Sequence, residues 1–516
     1  MTIAQAIQEA TSATQLLHTA NRMWLPTDDD LAPHLRTQKI HHDKRIKAAS
    51  QLLMKLGDCI GMGTGTVDVD VDTNVDVDVG VGVGFQPGIW MQAGENGLVK
   101  AILAASLPFR DANDVDVTNN VDVDGRNVCI ALAGIHSIVG YTLPHASSKQ
   151  MEHTLNVDIV KALQRLISDA DGLAWKLPMY EAVQLRWAIR GILSRLGPLL
   201  YGPGPCNEHA REHEREHDIA NNIDIANRVI PNLNERVAKL PFDIIPSCID
   251  WDSFDVDVDD IDIQENNDTT KAMKSLLNDI PFNLDTITTR TGTKVEERRS
   301  TAWVAENGIG SLAYSGKLMN PHPLPDIVAR AMRQVEEGIM AMASEKNTEL
   351  ELCHDTIGKY FDCALCNHYP NEESACKFHT DPEHGIYWER LTCVVSAGND
   401  DVRKFAFRPI PNENEWDRYE TDARKGKSQS QSDDSILPAV IPLFPGDVVM
   451  MDGDCNDVFH HAVYGKQLSS TDATSVLGGG SDSDGRVSLV FKRAMDKGNG
   501  RRGHGRAGQG RSAKRL

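Results

Sequence analysis

The sequence predicts an α+β fold: a double-stranded β-helix, or jelly-roll, catalytic domain behind a mostly helical N-terminal region, with low-complexity tracts expected to be disordered. Three observations predict it. From residue 284 onward short runs with strand periodicity dominate: 361–369, 388–395, 404–407, 439–443, 447–451 and 486–491. Many short antiparallel strands bearing clustered His and Asp are what a jelly-roll built around a metal would show. Before residue 240 the apolar residues instead recur at helical spacing, in 11–23, 39–56 and 173–200. Tracts of alternating Val and Asp interrupt the helical part at 63–84 and 114–124 and recur between the two parts at 255–262.

Taken in order, residues 1–62 read as a helical segment, with Pro26 and Pro33 separating two helices. The basic run His41–Lys47 reads as the wet face of a helix. Residues 63–84 are a Val/Asp/Gly tract; aspartate is a poor strand former and its charges would line one face, so an expanded surface repeat is expected rather than a calcium site. Residues 85–240 form a mostly helical region of unknown role, with apolar stretches at 98–107 and 128–143 and a stop at Gly202-Pro203-Gly204-Pro205. His209, His213 and His217 fall on one helical face, but a charged, solvated linker explains them as well as a metal does. Residues 241–283 read as a linker with an acidic tract, 284–495 as the catalytic domain with one clear helix over 326–342, and 496–516 as a basic Gly/Arg tail. Loop insertions are expected at 412–435 and 466–485.

Composition narrows the function. With 516 residues the chain holds two or three domains, and a 41% hydrophobic content permits real cores. The formal charge of -21 argues at first against a nucleic-acid partner, but much of the acid sits in the Val/Asp tracts, while the tail from Lys497 to Leu516 is basic and free of acid. Such a tail suits salt-dependent contact with a phosphate backbone, or a nuclear-import signal. The ten cysteines are scattered and no secretory signal is apparent, so free thiols in a reducing compartment are expected, in the nucleus or cytoplasm. The longest apolar run, 128–139, is too short to span a bilayer, so no membrane is expected. Cys363 and Cys366, three apart on a strand, would face opposite sides, which argues against zinc there.

The chemistry concentrates between Asn367 and Lys492. His379 and Asp381 are two apart, so a strand would point both the same way. A third ligand must come from a facing strand, where His461 is favoured over its neighbour His460. Two imidazoles and one carboxylate on one face of Fe(II) leave positions open for a co-substrate and O2. A keto acid chelating that iron needs a cation at its far carboxylate, best a guanidinium, and Arg486 fits. A second His-x-Asp, His41-His42-Asp43, lacks this context.

These residues carry a family resemblance. Asn367-His368-Tyr369, His379-x-Asp381, Arg403-Lys404-Phe405-Ala406-Phe407-Arg408, His461 and Arg486 to Lys492 resemble, in order, the motifs of the AlkB family of oxidative nucleic-acid demethylases. Arg299 to Trp303 followed by Gly308 to Gly316 is similar to the segment that opens its catalytic domain. The resemblance implies Fe(II) on His379, Asp381 and His461. It implies 2-oxoglutarate as co-substrate, held by Arg486, Asn367, Tyr369 and Lys492. It further implies substrate contacts from Tyr314, stacking on the base, and Glu383, at its polar edge. Two departures stand out: Ser488 and Val490 replace the family's Asn and Thr, and Lys492 stands where a second Arg belongs, offering a point charge without a fork. The expected activity is oxidative demethylation of an alkylated base in DNA or RNA. The alternatives are a 2-oxoglutarate-dependent hydroxylase of a protein or small molecule, and a non-catalytic nucleic-acid-binding relic. No protein partner is inferable.

Overall fold

The computed structural model describes residues 128–136, 139, 157–201, 214–254, 268–288, 293–314, 317–346, 360–370, 374–381, 387–398, 402–410, 415–419, 437–465 and 485–495. The readings made for 1–62, for the three Val/Asp tracts, for His209 and His213, for Glu383 and for the tail lie outside these residues, as do the side chains of His217 and Tyr314.

Two compact units divide the chain: 1–212, 221–239 and 416–435 form one, and 213–220, 240–415 and 436–516 the other. The described part of the first is helical: residues 128–136, then α1 (Val157–Gly172), α2 (Met179–Tyr201), α3 (Glu214–Val229, of which 221–229 belong here) and α4 (Pro231–Val237). Helix α2 is buried over most of its circumference, as expected of a central helix. The Asp171 carboxylate caps the first turn of α4, accepting from Leu233 N at 2.9 Å and Asn232 Nδ2 at 2.8 Å. His136 is buried against α2 at Gly191, where a Cβ would lie 2.0 Å from its Nε2.

The second unit is built on strands. In chain order they are β1 (Phe242–Ile245), β2 (Thr286–Thr288), β3 (Lys294–Glu296), β4 (Ser300–Ala305), β5 (Leu312–Tyr314), β6 (Lys317–Met319), β7 (His322–Pro323), β8 (Cys363–Tyr369), β9 (Cys376–His379), β10 (Thr392–Gly398), β11 (Arg403–Pro409), β12 (Ala439–Leu443), β13 (Val448–Met451), β14 (Phe459–Val463) and β15 (Arg486–Lys492). Helices α5 (Asp268–Asp279) and α6 (Asp326–Lys346) fall among them. A seven-stranded sheet runs β1-β13-β10-β15-β8-β4-β7, and a four-stranded sheet runs β12-β11-β14-β9. All pairings within them are antiparallel except β4 with β7.

Aromatic packing joins the two sheets. Phe242 of the larger sheet stacks on Phe407 of the smaller at 4.0 Å and meets Phe459 edge-on at 5.1 Å. The central strands of the larger sheet, β8, β10 and β13, are buried nearly throughout, which is why they read as almost unbroken apolar runs rather than alternating ones. Two readings shift. The strand expected from Trp388 begins at Thr392, because Glu389 N bonds back to Arg493 O and Trp388 makes only an isolated bridge to Ala494. Residues 242–245, inside the stretch read as a linker, form the edge strand β1, because Phe242 to Ile245 are all buried.

Candidate metal centre

The smaller sheet supplies two imidazoles. His461 and His379 are directly paired across β14 and β9, so their side chains share a face, with ring centroids 4.4 Å apart. His461 is locked by its neighbours on β11: Phe405 lies parallel to it at 5.9 Å, and Phe407 sits opposite in register. The next register point pairs Val463 with Cys376, so three steps along β9 match two along β14. That bulge re-aims the end of β9 and brings Cys376 Sγ to 3.5 Å from His379 Nδ1.

Asp381 completes the cluster from just beyond the strand end. Ligand atoms of His379, Asp381 and His461 all lie within 4.8 Å of one another, and among the described residues they form the single such group of His, Cys, Asp or Glu. Asp381 Oδ1 is 3.9 Å from His379 Nε2 and 3.7 Å from His461 Nε2. His379 Nδ1 is 2.8 Å from Lys377 O, an arrangement in which Nδ1–H donates and Nε2 keeps its lone pair for a metal. Strand alternation is not what holds Asp381; its backbone N donates to Asn456 Oδ1 at 3.1 Å. Asn456 lies in the short helix Cys455–Val458 before β14, and nothing in its sequence context announced the role.

The larger sheet faces this cluster with a polar end. In register across β4, β8, β15 and β10 stand Thr301, Asn367, Ser488 and Ser396, and beside them Tyr369, Arg486 and Gly398. Arg486 is fully buried, donates from Nε to Ser396 Oγ at 3.1 Å, and its guanidinium carbon lies 6.0 Å from the Tyr369 ring centre. Arg299, just before β4, donates to Tyr369 Oη at 3.3 Å, a contact sequence reasoning missed. Asn367 Oδ1 is buried without a hydrogen-bond partner, an acceptor that a ligand's donor would satisfy.

Lys492, at the far end of β15 from Arg486, donates to Asp381 Oδ2 at 2.5 Å, with both side chains buried. Cys363 and Cys366 are both buried and on opposite faces of β8, and among the described residues neither joins a group of potential metal ligands.

Charges are balanced tightly. Burial alone would raise the Asp381 pKa, but Lys492, His461 and His379 together hold it well below the ordinary carboxylate range. Burial would lower that of His379, yet Cys376, Asp381 and the Lys377 carbonyl outweigh it and lift it to about 9 in the metal-free protein. Two neutral imidazole nitrogens and a carboxylate oxygen on one side of a point suit a divalent first-row metal and leave further positions open.

Residues 262–492 match the family model described as "2OG-Fe(II) oxygenase superfamily". Among solved structures 112 chains match. One is described as "The structure of OsALKBH1"; it is 12% identical, with a TM-score of 0.28, and the match covers 49% of this chain and 98% of that one. No curated protein matches the chain.

Proposed function

We propose, from the premise that this chain belongs to the 2OG-Fe(II) oxygenase superfamily and is an AlkB-like, Fe(II)- and 2-oxoglutarate-dependent dioxygenase, that it removes alkyl groups oxidatively from bases in DNA or RNA. The observation that carries the reading is the meeting of His379, Asp381 and His461 within 4.8 Å, beneath the sheet that presents Arg486, Asn367 and Tyr369. His379, Asp381 and His461 hold Fe(II), with Lys492 steadying the far oxygen of Asp381. Arg486 and Tyr369 take the distal carboxylate of 2-oxoglutarate, the guanidinium as a fork and the phenol as a hydroxyl donor, its oxygen already accepting from Arg299. Asn367 contributes the Nδ2–H of its buried amide to the same co-substrate, which offers only acceptors. The metal, when bound, supplies the activation of O2 that oxidises the N-alkyl carbon. The protein's part is orientation and the exclusion of water: every side chain of this set except His379 is nine-tenths buried or more. Tyr314 and Glu383 are assigned to the base, which must leave its stack to reach the metal. We read the two sheets as the halves of a double-stranded β-helix.

The test is formaldehyde release from methylated DNA and RNA oligonucleotides supplied with Fe(II) and 2-oxoglutarate. His379→Ala and Asp381→Ala are expected to abolish 2-oxoglutarate turnover, and turnover retained in both rejects the centre. Turnover stimulated by a peptide or small molecule, with no formaldehyde from any oligonucleotide, replaces the substrate class and keeps the chemistry.

A further inference from the structure

We infer that the outer face of the four-stranded sheet, turned away from the metal centre, is a platform for single-stranded nucleic acid. The tandem histidines divide the sheet's two sides. His461 points to the metal, so His460 and Ala462 lie on the opposite face, in register with Arg408 and Ala406 of β11. Tyr464, whose N bonds Lys404 O, extends the same row. From β9, Phe378 reaches this face: the Arg408 guanidinium carbon sits 4.2 Å over its ring centre, and Tyr464 meets it edge-on at 6.0 Å. The small Ala406 and Ala462 form a buried floor, while Phe378, Arg408, His460 and Tyr464 remain partly exposed and Lys404 is exposed.

Charge and ring chemistry together select the occupant. The chain as a whole carries a formal charge of -21, yet β9, β11, β12 and β14 contain no Asp or Glu, and this face of β11 carries Lys404 and Arg408, with exposed Lys377 on the edge strand β9. Arg408 makes no salt bridge among the described residues, and its Nε has no hydrogen-bond partner; the Phe378 ring holds it flat instead. Cations without counter-charges call for a polyanion. Exposed aromatic and guanidinium planes among those cations call for unpaired bases, which stack on them regardless of sequence. An acidic peptide would use the cations and leave the rings idle. The occupant is drawn from the nucleobase reading above, but the surface is separate from the metal centre and can be tested apart from it.

The experiment is fluorescence anisotropy of the full chain with labelled, unmethylated oligothymidine and oligouridine of about 20 nucleotides. Tyr464→Ala and Arg408→Gln are each expected to weaken binding by about fivefold or more, the effect of losing one stacked base. Tyr464→Phe should bind like the wild type, because the ring and not the hydroxyl is used. Lys404→Gln, an exposed change that leaves folding intact, should lower the salt dependence by about one ion. Variants are compared only where 2-oxoglutarate turnover without substrate matches the wild type. The inference is overturned if Tyr464→Ala and Lys404→Gln both bind normally, if Tyr464→Phe loses as much as Tyr464→Ala, or if polyglutamate displaces the oligonucleotide equally well. Binding through these residues with no formaldehyde from any methylated oligonucleotide upholds the platform and defeats the demethylase reading. Formaldehyde release with binding unchanged in both variants does the reverse.

Discussion

Replacing Lys492 by Met tests the electrostatic heart of the site. The ammonium lies 2.5 Å from Asp381 Oδ2, and the two side chains are 4% and 7% exposed. Deleting one partner of a buried ion pair strands the other, at a cost of about 3–5 kcal/mol. Here the lower end applies, about 3 kcal/mol, because both imidazoles remain within 4.0 Å of the other oxygen, at 3.7 and 3.9 Å, and His379 carries a proton below about pH 9. The double variant Lys492→Met with Asp381→Leu removes both charges and should recover most of that loss. The pH dependence has a definite sign. Asp381 is held below its unfolded value, so the pair's contribution is present above about pH 4 and fades as pH falls through the folded value. The assay is urea unfolding of the metal-free protein in chelator, with the slope monitored so that a change of midpoint alone is read as stability. A single-variant loss under about 1 kcal/mol, or a double variant no more stable than the single, refutes the argument.

Other outcomes follow from the same geometry. Gly485 has φ +71°, and a Cβ there would lie 2.3 Å from Tyr369 O; Gly485→Ala should displace Arg486 and raise the KM for 2-oxoglutarate several-fold while Fe(II) affinity, followed by anaerobic titration, stays unchanged. Gly191→Ala drives a methyl into the His136 ring and should destabilise the helical unit by about 1–3 kcal/mol in chemical denaturation. Burial and then Arg195 depress the His136 pKa to about 3, so stability should fall as pH drops from about 6.5 towards 3; His136→Gln should abolish that slope. Metal uptake must displace the proton from His379, whose pKa is about 9; at pH 7 calorimetry in buffers of different ionisation enthalpy should register about one proton released, and affinity should weaken as pH falls.

Much of the site was legible in the chain because its residues obey strand periodicity. Arg486, Ser488, Val490 and Lys492 alternate with Val487, Leu489 and Phe491, and from the first set Lys492 reaches Asp381. The choice of His461 over His460 followed from the same alternation and agrees with the pairing to His379. Where the chain leaves regular strand, periodicity stops informing. Asp381 lies beyond β9 and depends on Asn456, 75 residues away. The bulge in β9 placed Cys376 on the same side as His379, where simple alternation would not have put it.

Order and type of side chain along the polypeptide thus determined the strand-rich half, the ligand chemistry and the need for a buried guanidinium, because those depend on local periodicity and on the valence of the groups themselves. Tertiary structure alone decided that Lys492 serves Asp381, that Arg299 reaches Tyr369, and that an acidic chain keeps one sheet face basic. Those facts turn on which strands become neighbours and in what register, and a linear pattern holds no distance between residues more than a few positions apart.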